Sequence, residues 1–145
     1  MSIRQILEAK GRDVVEIDPG ATIAEAVALL AERHIGALVA TAGDRAVAGI
    51  LSERDIVRLL AEGGTDSLAG SVGEAMTRNV TTADEDTTVD EALEVMTRGR
   101  FRHLPVCEEG RLVGIVSIGD VVKRRIEAVE QEAEEMRNYI HTAAG

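Results

Sequence analysis

The sequence has 145 residues, 45% of them hydrophobic, enough for one compact domain or for two small lobes that share a core. Aromatic residues make up only 1%, so the core falls to Val, Ile, Leu and Ala. A net charge of −10 repels phosphate backbones and anionic headgroups, which excludes general affinity for nucleic acid or membrane surfaces but allows a local basic cluster to hold a small anion.

In chain order, Met1 to Lys10 lacks the apolar run of a signal peptide. Val14–Ile17 reads as a short extended segment. Thr22 opens a helix, with Glu25 three residues later as the other half of a capping box. Ile23, Ala26, Val27 and Leu30 keep helical spacing behind it. Ala37–Ala40 and Val47–Leu51 are strands separated by a Gly43-Asp44 turn, and a helix starts after Ser52. Gly63–Gly73 reads as a polar linker. The same series then runs again. Val80–Thr82 is extended, Thr88 with Glu91 opens a helix through Val89, Leu93 and Met96, and His103–Val106 and Leu112–Val116 are strands around a Glu109-Gly110 turn. A second helix starts after Ser117. No stretch approaches the roughly 20 apolar residues of a membrane span. Cys107 is the only cysteine, so an internal disulfide is impossible and a reducing, cytoplasmic setting is expected.

The chain therefore repeats itself. Thr22-Ile23-Ala24-Glu25-Ala26 returns as Thr88-Val89-Asp90-Glu91-Ala92, and Leu38 returns as Leu104. Gly49-Ile50-Leu51-Ser52 with Asp55 returns as Gly114-Ile115-Val116-Ser117 with Asp120. The one-residue change in offset falls in the Thr41–Arg45 turn, where indels are tolerated. Copies of one unit imply two apolar faces buried on each other. The expected divisions are a first repeat over 1–62, a linker over 63–73, a second repeat over 74–124 and a helical tail over 125–145.

The β-α-β-β-α order, closed by Gly-Ile-Leu-Ser-x-x-Asp in one copy and Gly-Ile-Val-Ser-x-x-Asp in the other, resembles the cystathionine-β-synthase (CBS) domain family. Arg102-His103-Leu104-Pro105-Val106 resembles that family's second strand. The similarity runs from about Lys10 to Lys123. It implies a stand-alone α+β pair with pseudo-two-fold symmetry, two clefts between the repeats, and an association of two pairs as a homodimer. It also implies AMP, ADP, ATP, NAD or S-adenosylmethionine as ligand, and an output to a regulated protein that the sequence does not name. Similar pairs are attached to IMP dehydrogenase, but no catalytic barrel is expected here. A ligand-free oligomerisation scaffold is the alternative.

Ser52-x-x-Asp55 and Ser117-x-x-Asp120 support two readings. Each is a capping box that needs no ligand. Each is also a helix N-terminus suited to phosphate, with an acceptor-only carboxylate suited to a ribose diol. By resemblance, Asp55 and Asp120 hold ribose hydroxyls, aided by Ser52 and Ser117. Arg98, Arg100, Arg102 and His103 crowd together in an acidic protein, and on a strand Arg100 and Arg102 would point the same way. They are either a solvated surface or, with Arg54, the phosphate ligands. Gly119 replaces Arg54 in the second copy, and Ile35-Gly36-Ala37 replaces the arginine-rich stretch in the first, so the clefts should differ. Resemblance puts Val15, Ile35 and Gly36 around the base beside Asp120, Thr81 and Phe101 around the base beside Asp55, and Lys10 and Met76 near the mouths. All of these but Lys10 also read as core or linker residues.

His34, His103 and His141 lack metal-ligand spacing, so no metal is expected. Nothing pairs a nucleophile with a base, so no enzyme is expected. In the tail, Val122, Ile126, Val129, Ala133, Met136 and Ile140 step by four and three alternately, the spacing of a coiled-coil seam. They form either a helix lying on its own domain or a contact with another chain.

Overall fold

The computed structural model describes residues 1–144. Thr22 caps the helix α2 (Ile23–Arg33) by a full capping box: Thr22 Oγ1 accepts from the Glu25 N–H at 3.1 Å, and Glu25 Oε2 accepts from the Thr22 N–H at 2.9 Å. Its apolar face buries Ile23, Ala26 and Leu30. Strands β1 (Glu16–Ile17), β2 (Ala37–Ala42) and β3 (Ala46–Ser52) form one sheet, with β1 parallel and β3 antiparallel to β2. Helix α3 (Glu53–Gly63) leaves the end of β3.

The second repeat copies this plan with α5 (Val89–Gly99), β4 (His103–Glu108) and β5 (Arg111–Ser117). Even local irregularities recur. A register shift falls at Ala40/Thr41 and again at Val106/Cys107. His34 and Arg100 both end their helices in the left-handed region. The expected strand over Val80–Thr82 does not form. Only a single parallel bridge, Ala83 to Val106, stands where β1 pairs with β2. Proline explains the loss. In the first repeat the Val39 N–H donates to the Val15 carbonyl at 3.4 Å, whereas the matching position holds Pro105, which has no N–H to donate.

Two short helices hold the pair together. Helix α1 (Ile3–Lys10) opens the chain but buries Ile3, Ile6 and Leu7 in the core of the second repeat, with Met96, Leu104, Val106 and Val116. Helix α4 (Val72–Ala75) precedes the second repeat but buries Val72 in the core of the first, with Met76 beside it. The two are equivalent. Ser2 bridges Thr88 as Ser71 bridges Thr22, and Leu7 lies on Gly114 as Met76 lies on Gly49. At both glycines a Cβ would stand under 3 Å from the opposing side chain, so the close approach requires glycine.

The stretch 63–73 is thus more than a polar linker: Leu68, in a 3₁₀ turn over Gly64–Ala69, packs on the first core, and Val72 lies inside it. The tail is likewise continuous with the second repeat. Helix α6 runs unbroken over Ile118–Ala144, because no glycine or proline follows Gly119 until Gly145, which lies outside the described residues. No helix among the described residues is long and apolar enough to cross a membrane.

Candidate functional site

Both Ser-x-x-Asp motifs fold as helix caps. Asp55 Oδ2 accepts from the Ser52 N–H at 2.8 Å and from Ser52 Oγ at 3.0 Å, and the Asp55 N–H donates to Ser52 Oγ at 3.3 Å. Asp120 Oδ2 accepts from the Ser117 N–H at 2.8 Å, and the Asp120 N–H donates to Ser117 Oγ at 3.1 Å. A cap uses one carboxylate oxygen. Each motif can therefore cap its helix and still offer the other oxygen to a ligand.

Beside Asp55 the space is open. A cavity of about 630 Å³ lies between the repeats. The first repeat contributes Gly36, Ser52, Arg54, Asp55 and Arg58 to its wall, the segment after α4 contributes Asn79 to Thr81, and the second repeat contributes Arg100, Phe101, Arg102 and His103. Asp55 Oδ1 faces Arg58 across 3.9 Å, and the Asp55 side chain remains 20% exposed. Four arginines thus face two acids, Glu53 and Asp55, in a protein whose overall charge is negative. The helix α3 N-terminus adds its partial positive charge. The cleft can hold an anion at one end, a diol at Asp55 and a flat apolar group near Phe101.

His103 sits where the repeats meet. Its ring lies against Gly36, and a Cβ there would stand 3.2 Å from His103 Cε1. Burial pushes the imidazole below its usual range; Glu53 and Asp120 pull it up, while Lys10 and Arg102 push it down. The ring is therefore neutral at pH 7.

Beside Asp120 the chain supplies its own counter-ion. Lys10 Nζ, at the end of α1, donates to Asp120 Oδ2 at 2.8 Å and to the Ile115 carbonyl at 3.0 Å. Burial works against the charge on Asp120, but the Lys10 ammonium and the Ser117 N–H outweigh it and hold the carboxyl below the usual carboxylate range. A small cavity of about 180 Å³ lies beside Asp120 between α1 and α6, with Lys10, Lys123 and Arg124 among its walls. Asn79, following α4 as Lys10 ends α1, is the first repeat's counterpart to Lys10. Its short side chain leaves the Asp55 cleft open.

The structure gathers Asp55, Ser52, Arg54, Arg100, Arg102, Thr81 and Phe101 around one cavity. It separates the rest. Gly36, expected beside Asp120, lines the Asp55 cavity, where it abuts His103 across the repeat boundary. Val15 and Ile35 pack on the first core, and Met76 is 7% exposed within that core rather than at a mouth. Arg58 and Asn79 were not singled out from the sequence. Arg58 stands one helical turn after Asp55, a spacing that could have found it; Asn79 needs the α1–α4 equivalence, carried by the similar Ser2–Leu7 and Ser71–Met76 stretches. Among the described residues no group of His, Cys, Asp and Glu could hold a metal.

The CBS domain family model matches residues 3–62 and 72–127. The chain belongs to the CBS domain family. The CBS-domain containing protein ATU1752 from Agrobacterium tumefaciens is 50% identical, with a TM-score of 0.82 over 86% of this chain and 92% of that one. The CBS domain protein PAE2072 from Pyrobaculum aerophilum, solved in complex with AMP, is 32% identical, with a TM-score of 0.74 over 83% of this chain and 89% of that one. The CBS domain pair of protein MJ0100, solved with 5'-methylthioadenosine and S-adenosyl-L-methionine, is 28% identical, with a TM-score of 0.77 over 88% and 97%. The mitochondrial CBS domain-containing protein CBSX3 of Arabidopsis thaliana is 31% identical over 82% of this chain, which spans 60% of that relative's length. This chain thus carries a CBS pair with α1 and α4 built into the repeats.

Proposed function

We propose that this CBS pair is a sensor that takes one adenine nucleotide, such as AMP, ADP, ATP or NAD, in the Asp55 cleft and passes its occupancy to a regulated protein. The observation that carries this reading is the convergence on one cavity of a half-free carboxylate, Asp55, from the first repeat and the Arg100–Phe101–Arg102 run from the second. Asp55 Oδ1 would take the ribose hydroxyls, with Ser52 keeping the carboxylate aligned. Arg54, Arg58, Arg100 and Arg102 would face the phosphate, and Thr81 and Phe101 would flank the base. A ligand touching both repeats shifts their relative angle by as much as its affinity differs between the two arrangements. No catalytic step is assigned. Cytoplasmic placement and pairing of two copies belong to the same reading; burial raises the Cys107 thiol, which keeps it protonated and suits a structural residue.

The test is calorimetric titration of the protein with AMP, ADP, ATP, NAD and S-adenosylmethionine, with melting curves alongside. A ligand of the folded state raises the midpoint, by mass action. One adenine ligand per chain is expected; silence from the whole panel overturns the reading. Lys10 on Asp120 favours the second reading, a scaffold whose clefts serve assembly alone, which predicts a midpoint that rises with protein concentration and ignores nucleotides.

A further inference from the structure

Helix α6 extends well past the fold that starts it. Val121 is fully buried and Ile118 packs on the second core, yet every residue from Val129 to Ala143 is exposed. The CBS match also ends within this helix, at residue 127. A bare helix of about 15 residues is marginal in water, so this one gains from a cover. Its exposed apolar residues give the cover a direction. Val122, Ile126, Val129, Met136 and Ile140 lie on one seam with Ala133, and they are 38% to 59% exposed. In heptad terms Ile126, Ala133 and Ile140 are the a residues, and Val122, Val129 and Met136 the d residues.

We propose that α6 pairs with the α6 of a second copy as a parallel two-stranded coiled coil. The charges beside the seam favour a second copy laid parallel. Lys123, Glu130 and Arg137 hold the e positions, and Arg125 and Glu132 hold g positions. In a parallel pair each g residue meets the following e residue across the seam. Arg125 then faces the partner's Glu130, and Glu132 faces the partner's Arg137, with both contacts repeated by symmetry. In an antiparallel pair that sets Ile126 on the partner's Met136, like meets like: Lys123 faces the partner's Arg137, Glu130 the partner's Glu130, and Glu132 the partner's Glu132. Shifted antiparallel registers restore opposite pairs, Glu130 on the partner's Arg137 when Val129 meets Ile140 or Lys123 on the partner's Glu130 when Ile126 meets Val129, but each leaves part of the seam uncovered. The parallel pair alone covers the whole seam with both flanking contacts opposite in charge. Asp90 of α5 lies 3.4 Å from Arg125. The proposal names the surface for the pairing of two copies and does not rest on the nucleotide reading, since dimer mass and ligand binding are read separately.

Sedimentation equilibrium of the full chain tests it. The chain is expected to be a dimer, and Val129→Lys with Met136→Lys a monomer. Both replaced residues are exposed, so an unchanged melting profile of the repeats separates dissociation from misfolding. Glu130→Lys with Glu132→Lys turns both parallel contacts repulsive and is expected to weaken the dimer by about tenfold or more. An antiparallel coil with Ile126 on Met136 would exchange like pairs for like pairs and hold its affinity, and the next variant separates the other antiparallel registers. Met136→Cys in a Cys107→Ser chain is expected to oxidise to a covalent dimer, because only a parallel register sets Met136 on its own copy. A monomeric wild-type chain, as for a seam that serves a different protein, would overturn the proposal. So would a dimer indifferent to the lysine pair on the seam, as for contact through the repeats, or one indifferent to the charge reversals.

Discussion

The Asp55 cleft and the Asp120 cleft start from the same motif and end in opposite states. Both acids cap a helix through one oxygen, and both belong to a Gly-Ile-x-Ser-x-x-Asp run. The difference comes from elsewhere in the chain. Lys10 reaches Asp120 from α1, while the equivalent Asn79 makes no ion pair with Asp55, whose second oxygen faces the larger cavity and Arg58. The arginines follow the same division: Arg54, Arg58, Arg100 and Arg102 all face the open cleft. A duplicated motif fixes where a site can be; the side chains that arrive from other elements decide whether it is free.

The largest expected effect is on ligand affinity. Asp55→Asn should weaken AMP by about 1–3 kcal/mol, the scale of a hydrogen bond to a charged group, while Asp120→Asn should leave AMP affinity unchanged. Equal losses in the two variants, measured by calorimetry, would erase the distinction between the clefts. Lys10→Ala comes next. Removing the lysine should free Asp120 and add a second, weaker binding event, and it should lower stability by only about 0.2–1 kcal/mol, since both side chains are partly exposed. A stoichiometry held at one would mean that something other than Lys10 closes that cleft. The smallest effect is protonic. The folded pKa of His103 lies below its unfolded value of about 6.5, so its contribution is complete above pH 6.5 and is lost as pH falls through the folded pKa. Phosphate in the Asp55 cleft should raise that pKa, so AMP should bind with proton uptake. Ring-proton NMR titrations with and without AMP would detect the shift, and superimposable curves would put the phosphate away from His103.

Much of this was legible in the residues. The capping boxes at Thr22, Ser52 and Ser117, the alternation of helix and strand, and the glycines at Gly49 and Gly114 all act through near neighbours, so sequence carries them. The inequality of the clefts was also readable, from Gly119 and from Ile35-Gly36-Ala37. Its cause was not. Lys10 and Asp120 meet through α1, an element absent from the expected plan because its apolar residues complete a core formed far along the chain. For the same reason Met76 looks like a candidate for a ligand pocket but packs as core, while Val15 and Ile35 lie half-buried at the edge of that core: an apolar residue near a boundary reads alike in both roles. The missing strand before Ala83 was traceable to Pro105, once its partner across the bridge is known.

The exchange of short helices has one more consequence. Cutting the chain between Gly70 and Ser71 would give each fragment the helix that completes its neighbour. Either fragment would then present an uncapped apolar floor, while holding the peptide that fits the other's. Such halves are mutual cofactors. Each half would be expected to fold only when the other is present.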